Sequence, residues 1–245
     1  MKSTHTLRRR MAVCAAASLG LAGSFGAAQG ASLVFTELTG VAGGTPAGTA
    51  VFRADLSSVG VGTMQSITIR DNSFGLGGSP GRFSGFDLDA IKLSTTSCAT
   101  AACASGLAGL GVFNFGAGTL FTPGAQRAPA DPKLFGTNPA GTAVDNGVAT
   151  LALFDGNSTT DPTADGFLSM GDGGELSFNL TSAVSTAGLF LYIGEVGDNG
   201  EVAAGDVTIS SDVRVVPLPG SLPLIAGGLM AGAFVFRRRR PMSAH

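Results

Sequence analysis

Short runs of apolar and β-branched residues, separated by Gly, Asn, Asp, Pro and Ser, make up most of the chain, and no helical period appears outside its two ends. Alternation is clearest in 175–180, where Leu176, Phe178 and Leu180 predict a face turned to a core. Nine strands are predicted, at 33–38, 50–56, 65–70, 86–93, 111–115, 148–154, 175–180, 189–194 and 207–210. Because such a pattern is typical of two packed sheets, we expect an all-β fold with a single jelly-roll-like β-sandwich domain.

The segment 86–93 changes face partway along its length, because Leu88 and Leu93 would fall on opposite faces of a regular strand. A β-bulge near Asp89 or Ala90 would bring the apolar side chains onto one face. The same bulge would keep both carboxylates of the segment on the outer face, turned to water.

The last thirty residues, 216–245, combine a proline-rich motif, an apolar stretch and a cationic cluster. The motif is Val216, Pro217, Leu218, Pro219 and Gly220, and the cluster is Arg237, Arg238, Arg239 and Arg240. Because arginines resist translocation, the apolar stretch 222–236 predicts a transmembrane helix with the cluster in the cytoplasm and the preceding chain on the outer side of the inner membrane. The prolines keep the chain extended at the outer boundary, which predicts a processing site for a membrane-embedded protease.

These features resemble the PEP-CTERM sorting signal in its VPLPA-like variant, over about thirty residues at the C-terminus. Leu218 stands where the name-giving glutamate would be, and Gly220 stands where the variant usually has alanine. The resemblance implies that an exosortase cuts near the Pro-x-Pro element and passes the protein to the outer envelope or the extracellular polysaccharide matrix. The alternative is a plain C-terminal anchor that is never cut.

The N-terminus predicts export. Lys2 and the arginines 8–10 precede an Ala/Gly/Leu-rich run at 11–28, and Ala28-Gln29-Gly30 resembles a signal peptidase site. We therefore expect a signal peptide at 1–30, the Sec machinery and signal peptidase as partners, and an exported domain at 31–215. A twin-arginine signal built on 8–10 is the alternative.

Acidic residues dominate the exported domain once the two ends are removed. It keeps seven basic residues against all 17 acidic ones, a net charge of −10. The block from Asp145 to Val213 has eleven acidic residues and no lysine or arginine, so it must be solvated or neutralised by cations. This charge excludes nucleic acid as the partner.

Loops in the acidic block offer the hard oxygen ligands that calcium prefers. The candidate ligands are Asp155, Asn157, Asp161, Asp165, Asp172, Glu175, Glu195, Asp198 and Glu201. Neither the EF-hand spacing nor the glycine-rich calcium nonapeptide fits them. The alternative is that these residues form Asx and glycine turns on a solvated surface.

The positions of the histidines and cysteines restrict the kinds of active site and metal site that the exported domain can hold. The two histidines, His5 and His245, lie in the terminal segments, which excludes Ser-His-Asp and Cys-His catalysis and histidine-dependent zinc sites in the exported domain. Cys98 and Cys103 predict a disulfide that clamps a loop, worth about 2 kcal/mol in an oxidising compartment. A redox pair is the alternative.

We expect a non-catalytic exported protein of the cell surface, transiently held in the inner membrane and acting in biofilm or exopolysaccharide structure. The first alternative is a carbohydrate-binding surface module, with or without calcium, although the chain has no tryptophan and only one tyrosine, Tyr192. The lesser alternative is a glycan-active enzyme that uses carboxylates alone, such as Glu195 and Glu201.

Overall fold

Residues 30–73, 79–197 and 206–215 are described by the structure, a computed structural model. The strands in these ranges are β1 (Gly30–Ser32), β2 (Thr36–Ala42), β3 (Thr49–Asp55), β4 (Thr63–Arg70), β5 (Asp87–Ser94), β6 (Thr119–Thr122), β7 (Leu168–Ser169), β8 (Glu175–Ser185), β9 (Phe190–Val196) and β10 (Asp206–Ser210). The helices in these ranges are α1 (Ala101–Ser105) and α2 (Asn146–Ala149), with 3-10 turns at Leu56–Ser58 and Gly81–Phe83.

The strands form two five-stranded antiparallel sheets that pack face to face. Sheet A has the order β1-β10-β4-β8-β6, and sheet B has the order β2-β3-β9-β5-β7. Consecutive strands repeatedly pass from one sheet to the other, so most neighbours in a sheet are distant in sequence. The predicted all-β sandwich is confirmed.

The main hydrophobic core lies between the two sheets, where each strand contributes alternate residues. Ile67 and Ile69 come from sheet A and Leu191 and Ile193 from sheet B, and none is more than 1% exposed. Burying a large apolar side chain in this way contributes roughly 1.5–3 kcal/mol, which is what holds the sheets together. The alternation predicted for 175–180 is confirmed, since its three apolar residues belong to this core.

A second, smaller core covers the outer face of sheet B. Val51 of β3 and Tyr192 of β9 point away from the main core and pack with Phe154 and with Ala101 and Ala104 of α1. Sheet B is therefore buried on both faces over this area.

The bulge predicted in β5 is confirmed, because the register of β5 on β9 shifts between Leu88 and Ile91 and both side chains lie in the main core. The expectation that the carboxylates of this strand face water is wrong, since Asp87 and Asp89 are 2% and 0% exposed. The amides of Asp155 and Gly156, in the loop after α2, donate to Asp89, and the hydroxyl of Ser169 in β7 donates to Asp87.

Two predicted strands are wrong. The segment 111–115 makes only an isolated bridge to β8, and 148–154 begins in α2 and continues through turns. The helix forms because Asp145 caps it by accepting a hydrogen bond from the amide of Gly147 at 3.1 Å. It ends at Thr150, whose φ of 41° is left-handed.

The bounds and number of the strands also differ from the prediction. The prediction 33–38 starts three residues before β2, and β1, β6 and β7 were not predicted. These three strands have only two to four residues each, too few to show an alternating pattern. The remaining predictions fall on β3, β4, β5, β8, β9 and β10.

The terminal predictions concern residues beyond the described ranges. The signal peptide up to residue 29, the sorting motif at 216–220, the apolar stretch 222–236 and the arginines 237–240 all lie there. Within the described ranges, no helix has the length and apolar character needed to cross a membrane. The two sheets occupy the described part of the predicted exported domain, and β1 begins one residue earlier, at Gly30, the last residue assigned to the signal peptide.

Candidate functional site

Two of the residues predicted to bind calcium are paired with arginines that precede the acidic block in the sequence. Arg127 donates from Nη2 to Oδ1 of Asp172 at 2.7 Å and from Nε to Oδ2 at 3.1 Å, a two-point ion pair. Arg82 forms an ion pair with Asp161, and its guanidinium lies over the ring of Phe83. The protein therefore supplies cations to its own acidic half, which the sequence analysis did not anticipate.

Glu175, a third calcium candidate, lies between two arginines on the outer face of sheet A. The register of β4 on β8 places Arg70 directly opposite Glu175, and Arg70 Nε donates to its Oε2 at 2.6 Å. Arg214 Nη2 donates to the other oxygen, Oε1, at 2.8 Å. Both carboxylate oxygens are thus engaged by protein cations.

Three further candidates, Asp155, Asn157 and Asp165, lie in one loop that is closed by its own hydrogen bonds. Asn157 Oδ1 accepts from the amide of Asp165 at 3.0 Å, and Asp155 Oδ1 accepts from Thr150 Oγ1 at 2.6 Å. Burial raises the pKa of Asp155, the hydrogen bond from Thr150 opposes this rise, and the charge of Asp165 adds to it. These contacts support the alternative interpretation, in which the loop is built from Asx turns.

The other calcium candidates do not complete a site. Glu195 is fully buried on the face of β9 that carries Leu191 and Ile193, so it points into the main core. Asp198 and Glu201 lie outside the described residues, which leaves the carboxylate pair proposed for an enzyme without a geometry. In the part of the chain that the structure describes, no three acidic, cysteine or histidine side chains are placed to hold one metal ion.

Asp89 is a fully buried carboxylate whose two oxygens both accept hydrogen bonds. Thr49 Oγ1 donates to its Oδ2 at 2.6 Å, and the amides of Asp155 and Gly156 donate to its Oδ1 at 3.0 and 2.9 Å. Burial raises the pKa of Asp89 to about 6, and these three hydrogen bonds oppose the rise. Asp89 is thus a structural connection between two strands of sheet B and the loop after α2.

The predicted disulfide between Cys98 and Cys103 is confirmed. Its loop is fixed to sheet B at two points: the amide of Thr39 in β2 donates to the carbonyl of Ala99 at 3.3 Å, and the amide of Cys98 donates to Tyr192 Oη at 2.8 Å. These contacts support the structural interpretation of the disulfide over the redox one. Tyr192 is fully buried and presents no aromatic surface to a sugar.

A groove of about 1160 Å³ with both polar and apolar lining residues runs along the outer face of sheet A. Residues that alternate with the core residues of β4, β8 and β10 line it, among them Thr68, Ser177 and Thr208. Arg70 and Glu175 lie in the same groove, with side chains 54% and 30% exposed. The groove therefore offers hydroxyl, guanidinium and carboxylate groups on a rigid sheet.

The last described residues, 211–215, turn back over this face, and we call this segment the strap. Ser66 Oγ donates to the carbonyl of Asp212 at 2.6 Å. Asn179 Oδ1 accepts from the amide of Arg214 at 2.7 Å, and its Nδ2 donates to the carbonyl of Arg214 at 2.8 Å. Side chains of sheet A thus hold the main chain of the strap, and Gln65 Nε2 adds a bond to the carbonyl of Ser211 at 2.8 Å.

Asn179 and Arg214 were not predicted as site residues, although the sequence carries a signal for each. The alternation of 175–180 places Asn179 on the polar face of its strand. Arg214 is the only basic residue between Lys133 and Arg237, so a block rich in carboxylates ends in one cation. Only the fold shows that the two residues meet.

No protein-family model, curated protein or solved structure matches the chain. A functional proposal for this protein therefore rests on its own residues and on the geometry of sheet A and the strap.

Proposed function

We propose that this protein is a non-catalytic component of the cell envelope or extracellular matrix, exported by the Sec machinery and sorted through its C-terminal tail by an exosortase. The observation that carries the proposal is the order of features at 216–245: a Pro-Leu-Pro motif, an apolar stretch of membrane-spanning character and four arginines. A role in biofilm or exopolysaccharide structure follows from the resemblance of this tail to the PEP-CTERM signal.

The place where the chain leaves sheet A supports this proposal. The strap ends at Val215, and Pro217 of the sorting motif is only two residues further along the sequence. A folded domain followed directly by a processing motif is the arrangement that a sorted precursor requires. Cleavage would break one peptide bond, with water completing the new carboxyl group of the domain and the new amine of the tail.

The architecture and the charged groups support a structural role over a catalytic one. The orders β1-β10-β4-β8 and β3-β9-β5-β7, with consecutive strands crossing between the sheets, support the jelly-roll-like assignment. The described carboxylates with the strongest contacts serve ion pairs or loop closure, as at Asp172 and Asp89.

Replacing Pro217 and Pro219 together by alanine tests the sorting proposal. The double variant should accumulate as an uncut precursor in the inner membrane, whereas Pro139→Ala, a change in an exposed turn of the domain, should be processed normally. Mass spectrometry of membrane and released fractions reads out the result. Normal processing of the double variant would refute the sorting proposal.

Carbohydrate binding is a second candidate, and the groove on sheet A is the observation that favours it. Its hydroxyl and guanidinium groups match the hydrogen-bonding needs of a polysaccharide chain, although no exposed tryptophan or tyrosine lines it. The released protein should then be retained on the polysaccharide of its host, and Arg70→Ala should reduce retention more than Arg53→Ala. Equal elution of all three proteins would reject this candidate.

A further inference from the structure

We propose that the strap, residues 211–215, holds the chain just before the processing motif on sheet A, so that the membrane protease can cut only after the strap has left the sheet. This inference rests on the proposed sorting function. It adds a restraint built into the folded domain itself, with Arg214 as its main attachment.

Both polar groups of the Arg214 main chain are hydrogen-bonded in the folded domain. Its amide donates to Asn179 Oδ1 at 2.7 Å, and its carbonyl accepts from Asn179 Nδ2 at 2.8 Å. One amide side chain therefore satisfies both polar groups of this residue, as a neighbouring strand would do. A protease that binds its substrate as an extended strand needs the same two groups.

The side chain of Arg214 adds a second attachment. Its Nε donates to Thr68 Oγ1 at 3.2 Å, and its Nη2 donates to Glu175 Oε1 at 2.8 Å. Thr68 and Glu175 belong to adjacent strands, so the guanidinium spans the middle of sheet A. The side chain is 42% exposed, so these bonds are of moderate strength and can open without unfolding the domain.

The start of the strap is held independently of Arg214. Ser66 Oγ donates to the carbonyl of Asp212 at 2.6 Å, and Gln65 Nε2 donates to the carbonyl of Ser211 at 2.8 Å. Loss of the Arg214 contacts would therefore free the end next to the sorting motif while the beginning stays in place.

The distance along the chain makes the restraint effective. Pro217 follows Arg214 by three residues, which span about 10 Å of extended chain. A protease that cuts at Pro217–Gly220 and grips a few residues before the cut must therefore bind residues that sheet A already holds. The rate of processing then scales with the fraction of molecules in which the strap is open.

Pulse-labelled full-length protein, followed in cells that carry the exosortase, tests the restraint. Arg214→Ala and Asn179→Ala should each be processed roughly two- to tenfold faster than the wild type, as expected for losing partly exposed hydrogen bonds. Arg70→Ala is the matched control, because Arg70 binds the same Glu175 and makes none of the strap's hydrogen bonds. It should be processed at the wild-type rate.

A second variant leaves every contact of the strap intact. Four Gly/Ser residues inserted between Val215 and Val216 should let the protease reach the motif while the strap stays closed, and should also speed processing. The same insertion combined with the alanine changes at Pro217 and Pro219 must remain uncut, which shows that the motif is still used. Because the insertion removes no side chain, it decides the question even if Arg214→Ala does not fold.

The outcomes separate this inference from the sorting proposal. If the insertion variant and Arg214→Ala are processed no faster than the wild type while the double proline variant stays uncut, the strap inference is overturned and sorting stands. Slower processing of Arg214→Ala would mean that the protease recognises Arg214, and would also overturn it. If the double proline variant is processed normally, both proposals fail.

Discussion

Thr49 and Asp89 lie in strands that flank β9 in sheet B, and they meet across Gly194: Thr49 Oγ1 donates to Asp89 Oδ2 at 2.6 Å. Gly194 leaves room for this contact, because a Cβ at that position would lie 2.8 Å from Thr49 Cγ2. The other oxygen of Asp89 accepts from the amides of Asp155 and Gly156. A carboxylate that a sequence pattern assigns to the surface therefore organises the outer side of sheet B.

Removing this carboxylate should destabilise the domain. Asp89→Ala removes the acceptor of the buried Gly156 amide and of the partly buried Asp155 amide, so the free energy of unfolding should fall by about 2 kcal/mol. Urea unfolding of the released protein at pH 7 measures it. Asp165→Ala is the matched control, since Asp165 lies in the same loop and is exposed, and it should change stability little. Equal losses in the two variants would contradict the assigned role of Asp89.

The same residue predicts how stability depends on pH. Burial raises the pKa of Asp89 from 3.8 to about 6, so the folded state holds this proton more tightly than the unfolded state. The protonated carboxyl of Asp89 therefore adds to the free energy of unfolding below pH 4. This added stability, at most roughly 3 kcal/mol, is lost as the pH rises to 6. The raised pKa of Asp155 acts in the same direction.

Asp89→Asn tests this linkage, because asparagine carries no proton that titrates in this range. Urea unfolding between pH 4 and 7 should show a decline in the wild type that is largely absent in Asp89→Asn. An unchanged decline in the variant would assign the pH dependence to other groups.

Reduction of the disulfide should weaken the domain without unfolding it. The bond between Cys98 and Cys103 closes a short loop, so its loss should lower the free energy of unfolding by about 2 kcal/mol. Urea unfolding with and without reductant measures this loss. A variant with both cysteines replaced by serine should have the lower stability in either condition; sensitivity of that variant to reductant would point to a different cause.

Calcium should have no effect on the thermal midpoint of the released protein. Asp161, Asp172 and Glu175 are already neutralised by arginines, and the described residues hold no three-ligand group. Melting curves with calcium and with chelator should coincide. A midpoint raised by several degrees in calcium would show a stabilising site and contradict this assignment.

Local alternation predicted the sandwich because it reports directly on which face of a strand is buried. Ile67 and Ile69 of β4 show this, since they alternate with polar residues and lie in the core. The bulge in β5 could be predicted for the same reason, because an apolar pattern that changes parity needs an extra residue. Segment 148–154 could not, since the cap at Asp145 and the left-handed Thr150 decide its structure.

The candidate site depended on contacts between distant parts of the chain, which composition does not reveal. The acidic half looked uncompensated because partners such as Arg70 and Arg127 lie 105 and 45 residues before the carboxylates that they bind. The outer face of sheet B around Asp89 looked solvated because the amides that bind this carboxylate come from residues 155 and 156, more than sixty positions later. The strap was hidden for the same reason, since Asn179 and Arg214 are 35 residues apart.

The central claim is that the protein is exported, held by its tail and then cut. Mass spectrometry of both termini, on the cell-associated and the released protein, tests it most directly. We predict a released form that begins near Ala31 and ends within 216–220, together with a membrane-bound precursor that still carries Arg237 to Arg240. Recovery of the native protein from the cytosol with Met1 and His245 both present would contradict it.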